Sequence, residues 1–332
     1  MNQQKMTEQK SLKEILEPIQ SHLITVEDLV MKNLETDIPL LTEVGQYILK
    51  AGGKRVRPAL LLFSCGALSE ISQDAYLAAN IVEYIHTATL LHDDVVDNAD
   101  LRRSKQSARS IWGNEASVLV GDYLFTVSFK SLATLKKMDL VHALSRCTTM
   151  MARGEILQLV RDNEDASEEE YLEIIHHKTA SLMGVAMEMG AIIGGGDAAQ
   201  VKALYEVGHA IGMAFQLVDD ALDYQLENAA LGKEQGTDLK ERKITLPLSH
   251  LLQSANEKEK SQILDILDAD EITEMDIALV AKMMDEKGSV AYTLSRAQDY
   301  IDNAEVALKT LPQNEYSKGI FELANFVISR NR

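Results

Sequence analysis

The sequence predicts an all-α protein, and three observations carry that expectation. Helix formers such as Leu, Ala, Glu and Lys abound, against only 5 Pro and 6 Phe in 332 residues. Apolar residues recur at helical spacing along most of the chain, and no segment alternates as a half-buried strand does. No linker divides the sequence, so one domain over 1–332 is expected, with 1–11 as a flexible lead-in.

Helices are predicted near 11–34, 39–51, 56–68, 74–97, 116–136, 139–160, 168–195, 198–226, 246–254, 257–267, 276–287 and 289–309. Pro58 sits near a helix start, where its missing N–H costs little. The acidic run DNEDASEEE, 162–170, reads as a solvated loop and first turn. Within it Ser167 and Glu170 have capping-box spacing ahead of YLEIIHHKTASL. Thr273 and Asp276 repeat that spacing with a shorter acid. The segment ENAALGKEQGTDLKERKITLP, 227–247, is a long loop with Gly232, Gly236 and several lysines. A loop that long in a helical protein is often functional.

The net charge of −18 repels nucleic acid and anionic membranes, so neither is an expected partner. An anionic substrate would need a local cluster of Lys and Arg. Cys65 and Cys147 lack metal-site spacing and read as reduced, packed thiols. The polar N-terminus has no signal-peptide core. The most apolar run, GVAMEMGAIIGGG at 184–196, is broken by Glu188 and too short to span a membrane. A soluble cytoplasmic protein is expected.

The chemistry concentrates in LLHDDVVDNADLRR, 90–103. Asp93 and Asp97 are four apart and share a helix face, with Asp94 about 100° around the axis. Carboxylates this close raise one another's proton affinity unless a cation intervenes. Oxygen-only ligands suit a hard cation such as Mg2+, which takes one or two carboxylates and completes its shell with water and phosphate. Alone, the cluster also fits a solvated acidic helix end. It recurs, however, in FQLVDDALDY, where Asp219, Asp220 and Asp223 have the same spacing after another apolar run. If the two helices face each other, their carboxylates surround a shared pocket for several Mg2+ ions.

Cations complete the set. GGKRVRP, 52–58, supplies Lys54, Arg55 and Arg57; Arg102 and Arg103 follow the first acid cluster; Lys178 follows two histidines; Lys233 and Lys243 lie in the long loop. Together they offer a phosphorylated ligand bidentate Arg contacts and Lys point charges. There is no P-loop, dinucleotide fingerprint or Ser/Cys nucleophile signature. These features suggest a ligand with a diphosphate head and an apolar tail. Cations would stabilise a departing diphosphate, and dry walls would keep water from a reactive intermediate.

From about residue 12 to 330 the sequence resembles the trans-isoprenyl diphosphate synthases, most of all the bacterial long-chain (octaprenyl-type) enzymes. The motifs are GGKRVRP, EYIHTATLLHDDVVDNADLRR, ASVLVGDYLF, GEILQL, HHKTASL, FQLVDDALDY and GKEQGTDLKERKITLPL. The resemblance implies an isoprenoid-synthase-type helical barrel around a central cavity, and a homodimer. It implies head-to-tail 1'-4 condensation of isopentenyl diphosphate onto an allylic diphosphate, farnesyl or geranyl, with up to three Mg2+ ions per site. Asp93, Asp97 and Asp219 would hold Mg2+, supported by Asp94, Asp220 and Asp223. Lys54, Arg57, His86 and Arg103 would bind isopentenyl diphosphate. Arg102, Lys178, Thr179, Gln216, Lys233 and Lys243 would bind the allylic diphosphate, with Lys178 and Lys233 also counted among the catalytic groups. His86 lies seven residues before Asp93, within about 20° of the same helix face.

Two positions depart from the family pattern. Ser104 stands where Gly is common, and Arg242 stands in ERK where Glu-Gly-Lys is usual. Chain length should follow from Ala88 and Thr89, which are small where bulky residues stop growth in this family. Ile81, Ile85, Ala88 and His92 fall along one helical strip that is expected to wall the elongation tunnel, whose floor is expected near Phe129 and Leu132. The expected product is octaprenyl, for a quinone side chain, with geranylgeranyl or farnesyl length as the alternative. A terpene cyclase would show a different second metal motif and no GGKR. A non-catalytic synthase subunit would lack aspartates from one motif, and all six are present.

Overall fold

Capping chemistry sets the first helix. The Ser11 N–H donates to Glu14 Oε2 at 2.7 Å, and Ser11 Oγ accepts from the Glu14 N–H at 3.3 Å. The computed structural model describes residues 10–50, 53–102, 105–160, 167–225 and 236–329. The predicted lead-in, 1–11, falls mostly outside them.

The chain forms two compact units. One comprises Met1–Arg146, Leu182–Gly208 and Ala307–Leu323; the other comprises Cys147–Ser181, His209–Val306 and Ala324–Arg332. Each is assembled from three separate stretches, so neither is a contiguous segment of sequence.

In the first unit, α1 (Leu12–Leu16) passes through a 3-10 turn at Glu17–Ile19 into α2 (Gln20–Lys32). Pro18 in that turn accounts for the break in the single helix expected over 11–34. Next come α3 (Pro39–Lys50) and α4 (Val56–Leu68), which is buried from Pro58 to Ala67. A helix apolar on every side belongs in a core. Arg55 caps α4 from the left-handed region, φ 48°. Its guanidinium pairs with the buried Glu83, and also reaches Glu27 Oε1 at 3.2 Å and the Leu49 carbonyl at 2.8 Å.

The long α5 (Gln73–Val96) packs chiefly against α6 (Ala108–Thr134). The His92 ring lies directly on Gly121 of α6, where a Cβ would collide with it. Between these helices a two-residue hairpin, β1 (Leu101–Arg102) with β2 (Lys105–Gln106), pairs Arg102 with Lys105. The sequence offered no sign of it, because so short a pair has no alternation to read. α6 begins eight residues earlier than expected, with Ser107 as its cap and a kink at Gly113, φ 87°.

The second unit begins within α7 (Met138–Val160), although Leu182–Gly208 and Ala307–Leu323 further along belong to the first. The helix predicted over 168–195 is three pieces: α8 (Glu168–Ile175), a π turn at His176–Ala180, and α9 (Ser181–Ile193). α10 (Ala198–Asp223) ends on the second acid cluster. The described part of the long loop contains α11 (Thr237–Lys240). Then follow α12 (Leu246–Ser254), α13 (Glu257–Asp268), α14 (Glu274–Lys287), α15 (Ser289–Leu308) and α16 (Glu315–Ser329). Helix α16 was not anticipated, although Asn314 Oδ1 caps it by accepting from Tyr316 and Ser317 N–H at 3.1 and 3.0 Å. Leu239, Leu248, Leu251, Ile263, Ile277, Val280 and Met284 centre the core of this unit. Each such side chain contributes roughly 1.5–3 kcal/mol through burial. No helix among the described residues is long and apolar enough to cross a membrane.

Candidate active site

Both acid clusters lie at helix C-termini, where the carbonyl ends of the peptide dipoles already disfavour negative charge. A carboxylate there costs roughly 0.3–1 kcal/mol at an exposed position. Three in one turn make sense where a cation is to be held.

The first cluster closes α5. Asp93 and Asp97 are half-exposed, and the Asp97 N–H donates to the Asp93 carbonyl at 2.8 Å. Asp94 is 0% exposed. Its Oδ1 accepts from Arg102 Nε at 2.5 Å, while its Oδ2 is buried with no hydrogen-bond partner among the described residues. Burial pushes the Asp94 carboxyl above the usual range, and the Arg102 guanidinium opposes that rise. Arg102, expected on the allylic diphosphate, therefore already holds an acid. Arg103 and Ser104 lie outside the described residues.

In the same unit Arg57 Nη1 stands 3.2 Å from His86 Nε2, which joins two of the expected isopentenyl diphosphate ligands. An Arg cannot accept a hydrogen bond, so this His nitrogen is the acceptor. Lys54 is exposed in the loop before α4. Among the tunnel candidates, Ile85, Ala88 and Leu132 are buried, while Thr89 and Phe129 are half-buried. Thr89 Oγ1 donates to the His86 carbonyl at 2.9 Å. A cavity of about 320 Å³ lies elsewhere, between α2, the end of α3 and the 53–58 segment. None of the six aspartates is among its described lining residues.

The second cluster closes α10. Asp219 and Asp223 are half-exposed and Asp220 is buried, repeating the pattern of the first. Asp220 Oδ2 accepts from Tyr171 OH and its Oδ1 from Gln216 Nε2 at 2.7 Å. Gln216 Oε1 in turn accepts from Thr179 Oγ1 at 3.0 Å. Burial pushes the Asp220 carboxyl up to about 7, with Asp219 and Asp223 adding to the rise and the two hydrogen bonds opposing it. Burial also raises Asp223, whose Oδ2 accepts from the Asp238 N–H at 2.9 Å.

Asp238 itself was missed from sequence. Burial and the charges of Asp220 and Asp223 push its carboxyl well above the usual range, which marks a fourth acid close to this cluster. Its signal was slight, a lone Asp after Gly236-Thr237 in a loop.

Lys178 sits in the π turn, a feature often found at functional sites. Gly154 of α7 lies so close that a Cβ there would meet His177 Cβ at 2.8 Å and Lys178 N at 3.0 Å. Lys178 Nζ reaches Glu155 at 2.9 Å and Gln158 Oε1 at 3.4 Å. Lys243 Nζ pairs with Glu241 at 2.7 Å. Arg242 is left-handed, φ 56°, which explains why glycine suits the position, and its Nη2 donates to the Ala269 carbonyl. Lys233 lies outside the described residues.

These donors fit Mg2+. They are oxygen-only, and the lone Asp94 Oδ2 is a buried acceptor in need of a donor or cation. No group of three or more His, Cys, Asp or Glu among the described residues forms a ready cage. Mg2+ does not require one, because it keeps several waters and shares its shell with phosphate.

Acid clusters at helix ends of an all-α scaffold define the class of isoprenoid-synthase-type enzymes. The model of the polyprenyl synthetase family matches residues 38–284, and the chain belongs to that family. It is 39% identical to the octaprenyl diphosphate synthase of Haemophilus influenzae, over 91% of this chain and 92% of that one. The crystal structure of a decaprenyl diphosphate synthase from Rhodobacter capsulatus superposes with TM-score 0.92 at 35% identity, covering 97% of this chain and 100% of that one. A polyprenyl synthase from Caulobacter crescentus, complexed with calcium and isoprenyl diphosphate, gives TM-score 0.92 at 36% identity, over 98% and 100% of the two chains. The chain is thus a trans-prenyltransferase that makes long-chain polyprenyl diphosphates.

Proposed function

We propose that the enzyme condenses isopentenyl diphosphate onto farnesyl or geranyl diphosphate with Mg2+ and extends the chain to octaprenyl length, for a quinone side chain. The observation that carries this reading is the repeated acid cluster, with a buried middle Asp and half-exposed outer ones at each helix end. Asp93, Asp97 and Asp219 would hold Mg2+, whose positive charge stabilises the departing diphosphate. Asp94, Asp220 and Asp223 support them.

Lys54, Arg57, His86 and Arg103 bind isopentenyl diphosphate. Arg102, Lys178, Thr179, Gln216, Lys233 and Lys243 serve the allylic diphosphate. For Arg102, Thr179 and Gln216 that service runs partly through the acids they hold. Lys178 exchanges Glu155 for a diphosphate oxygen when substrate enters. The allylic diphosphate ionises, the double bond of isopentenyl diphosphate attacks the allylic carbon, and a proton is lost, with released diphosphate as its acceptor. The Haemophilus relative's octaprenyl name and the small buried Ala88 favour a long product. A homodimer in the cytoplasm completes the proposal, supported by the exposed Val118 and Leu119 on α6.

The test is a product assay with Mg2+, labelled isopentenyl diphosphate and farnesyl diphosphate, sized by mass spectrometry after the diphosphate is removed. A ladder ending near C40 is expected. A stop at C20 would keep the chemistry and overturn the octaprenyl length. No Mg2+-dependent elongation from any primer would overturn the roles given to the aspartates. Ala88→Phe should shorten the products, with Ile85, Thr89, Phe129 and Leu132 as the neighbouring positions to vary.

A further inference from the structure

Tyr171 has no part in the roles above, yet it is held at both its backbone and its hydroxyl. It is 3% exposed, in the first turn of α8. The capping box of Ser167 and Glu170 starts that helix, and the Tyr171 N–H donates to the Ser167 carbonyl at 3.1 Å. Glu168 of the same turn accepts from Arg296 Nε at 2.9 Å and Tyr292 OH at 2.6 Å, which ties the turn to α15. From this fixed base the Tyr171 hydroxyl donates to Asp220 Oδ2 at 2.5 Å.

The far end of the chain of bonds is equally determined. Thr179 donates to Gln216 Oε1, so the Gln216 amide turns its nitrogen to Asp220 Oδ1. Both Asp220 oxygens are thereby occupied by neutral donors. Asp220 lies in the last turn of α10, where helices fray, between two other acids that repel it. Without an anchor, that repulsion would open the turn.

We propose that Tyr171 is a positioning residue of the second acid cluster: by pinning Asp220 it fixes the last turn of α10 and hence the placement of Asp219 and Asp223 for a divalent cation. This rests on the reading of the cluster as a Mg2+ site. Tyr171 touches no metal ligand through its hydroxyl; it acts through Asp220.

The experiment follows thermal unfolding of the purified enzyme as Mg2+ is titrated in the presence of inorganic diphosphate, for the parent, Tyr171→Phe and Asp219→Asn. Tyr171→Phe should raise the Mg2+ concentration for half-maximal stabilisation roughly tenfold or more, the usual effect of losing a group that orients a ligand. If the hydroxyl only stabilises the fold, Tyr171→Phe lowers the unfolding temperature at every Mg2+ concentration and leaves the half-saturation point unmoved. That result, with Asp219→Asn impaired, overturns the positioning role. An unaltered Mg2+ response in Asp219→Asn overturns the metal reading, and the proposal with it.

A second comparison places Tyr171→Phe in an Asp220→Asn background, where no carboxylate is left needing the hydroxyl. It also serves if Tyr171→Phe alone does not fold. No further loss of Mg2+ response is expected there, and additive losses would show that Tyr171 acts by another route.

Discussion

The two acid clusters share a spacing and a helix end but keep their buried acid by opposite means. Asp94 of the first unit is held by the Arg102 cation, and the same unit buries Glu83 against Arg55. Asp220 of the second unit is held by a phenol and an amide. That unit also holds the half-buried pair His176 and His209, whose rings meet nitrogen to nitrogen at 2.5 Å. The first cluster holds its buried acid with charge, the second with neutral hydrogen bonds. A charge pair resists pH but fails when one partner is removed. A neutral network tolerates the dry interior until a proton arrives.

The largest effect should come where the clusters are alike. Asp93→Ala and Asp219→Ala should each lower kcat by roughly 10²–10³, the usual loss for a group that stabilises charge in the transition state. Denaturation of both should be unchanged or slightly harder, since each removes a negative charge from a helix C-terminus. A marked difference between the two rates would break the symmetry of roles.

Next in size is the charge pair. Arg102→Gln leaves Asp94 buried beside an uncharged partner and should cost about 2–3 kcal/mol in chemical denaturation, reduced from the 3–5 of a fully buried pair because Arg102 is partly exposed. A cost near zero would mean that the pair is not what holds Asp94.

The neutral network should answer to pH. Burial, aided by the nearby His176, pushes His209 down to about 4, and burial likewise lowers His176. The unfolded chain takes up protons first, so stability from this pair is full above about pH 6.5 and is lost as pH falls toward 4. His209→Gln should flatten that slope, by about 1–3 kcal/mol across the window, in denaturation followed at several pH values. An unchanged slope would place the acid sensitivity elsewhere.

The smallest change concerns the loop. Arg242→Gly relieves a left-handed backbone but loses the bond to the Ala269 carbonyl. These oppose each other, so stability should move by less than about 1 kcal/mol. A larger loss would make Arg242 a strut of the second unit.

Much of this was open to reading from residues alone. Helical period set most elements, and the recurrence of one aspartate spacing singled out the two helix ends proposed as the site. The π turn at 176–180 was not legible, because one extra residue in a helical turn leaves no mark in so short and mixed a stretch as HHKTA. Pro18 breaks the helix expected over 11–34, although the apolar period runs on either side of it. Tyr171 looked like any aromatic on the buried face of a helix, and only the bond to Asp220 separates it from core. Arg102 was assigned to a diphosphate, because nothing in a linear sequence shows a hairpin turning it back onto Asp94. Asp238 needed the α11 turn to bring it near the acids.

The π turn also bears on how this gene can tolerate deletion. Losing one codon from 176–180 would let the turn close as ordinary α-helix. Everything before it, Tyr171 included, would then rotate by about 100° and shift by about 1.5 Å relative to α9. Helix content and both aspartate clusters would survive, with only HHKTASL shortened, and yet the phenol would no longer point at its aspartate. An alignment would score such a deletion as a trivial gap, although it would act as a change of gearing between two halves of one helix.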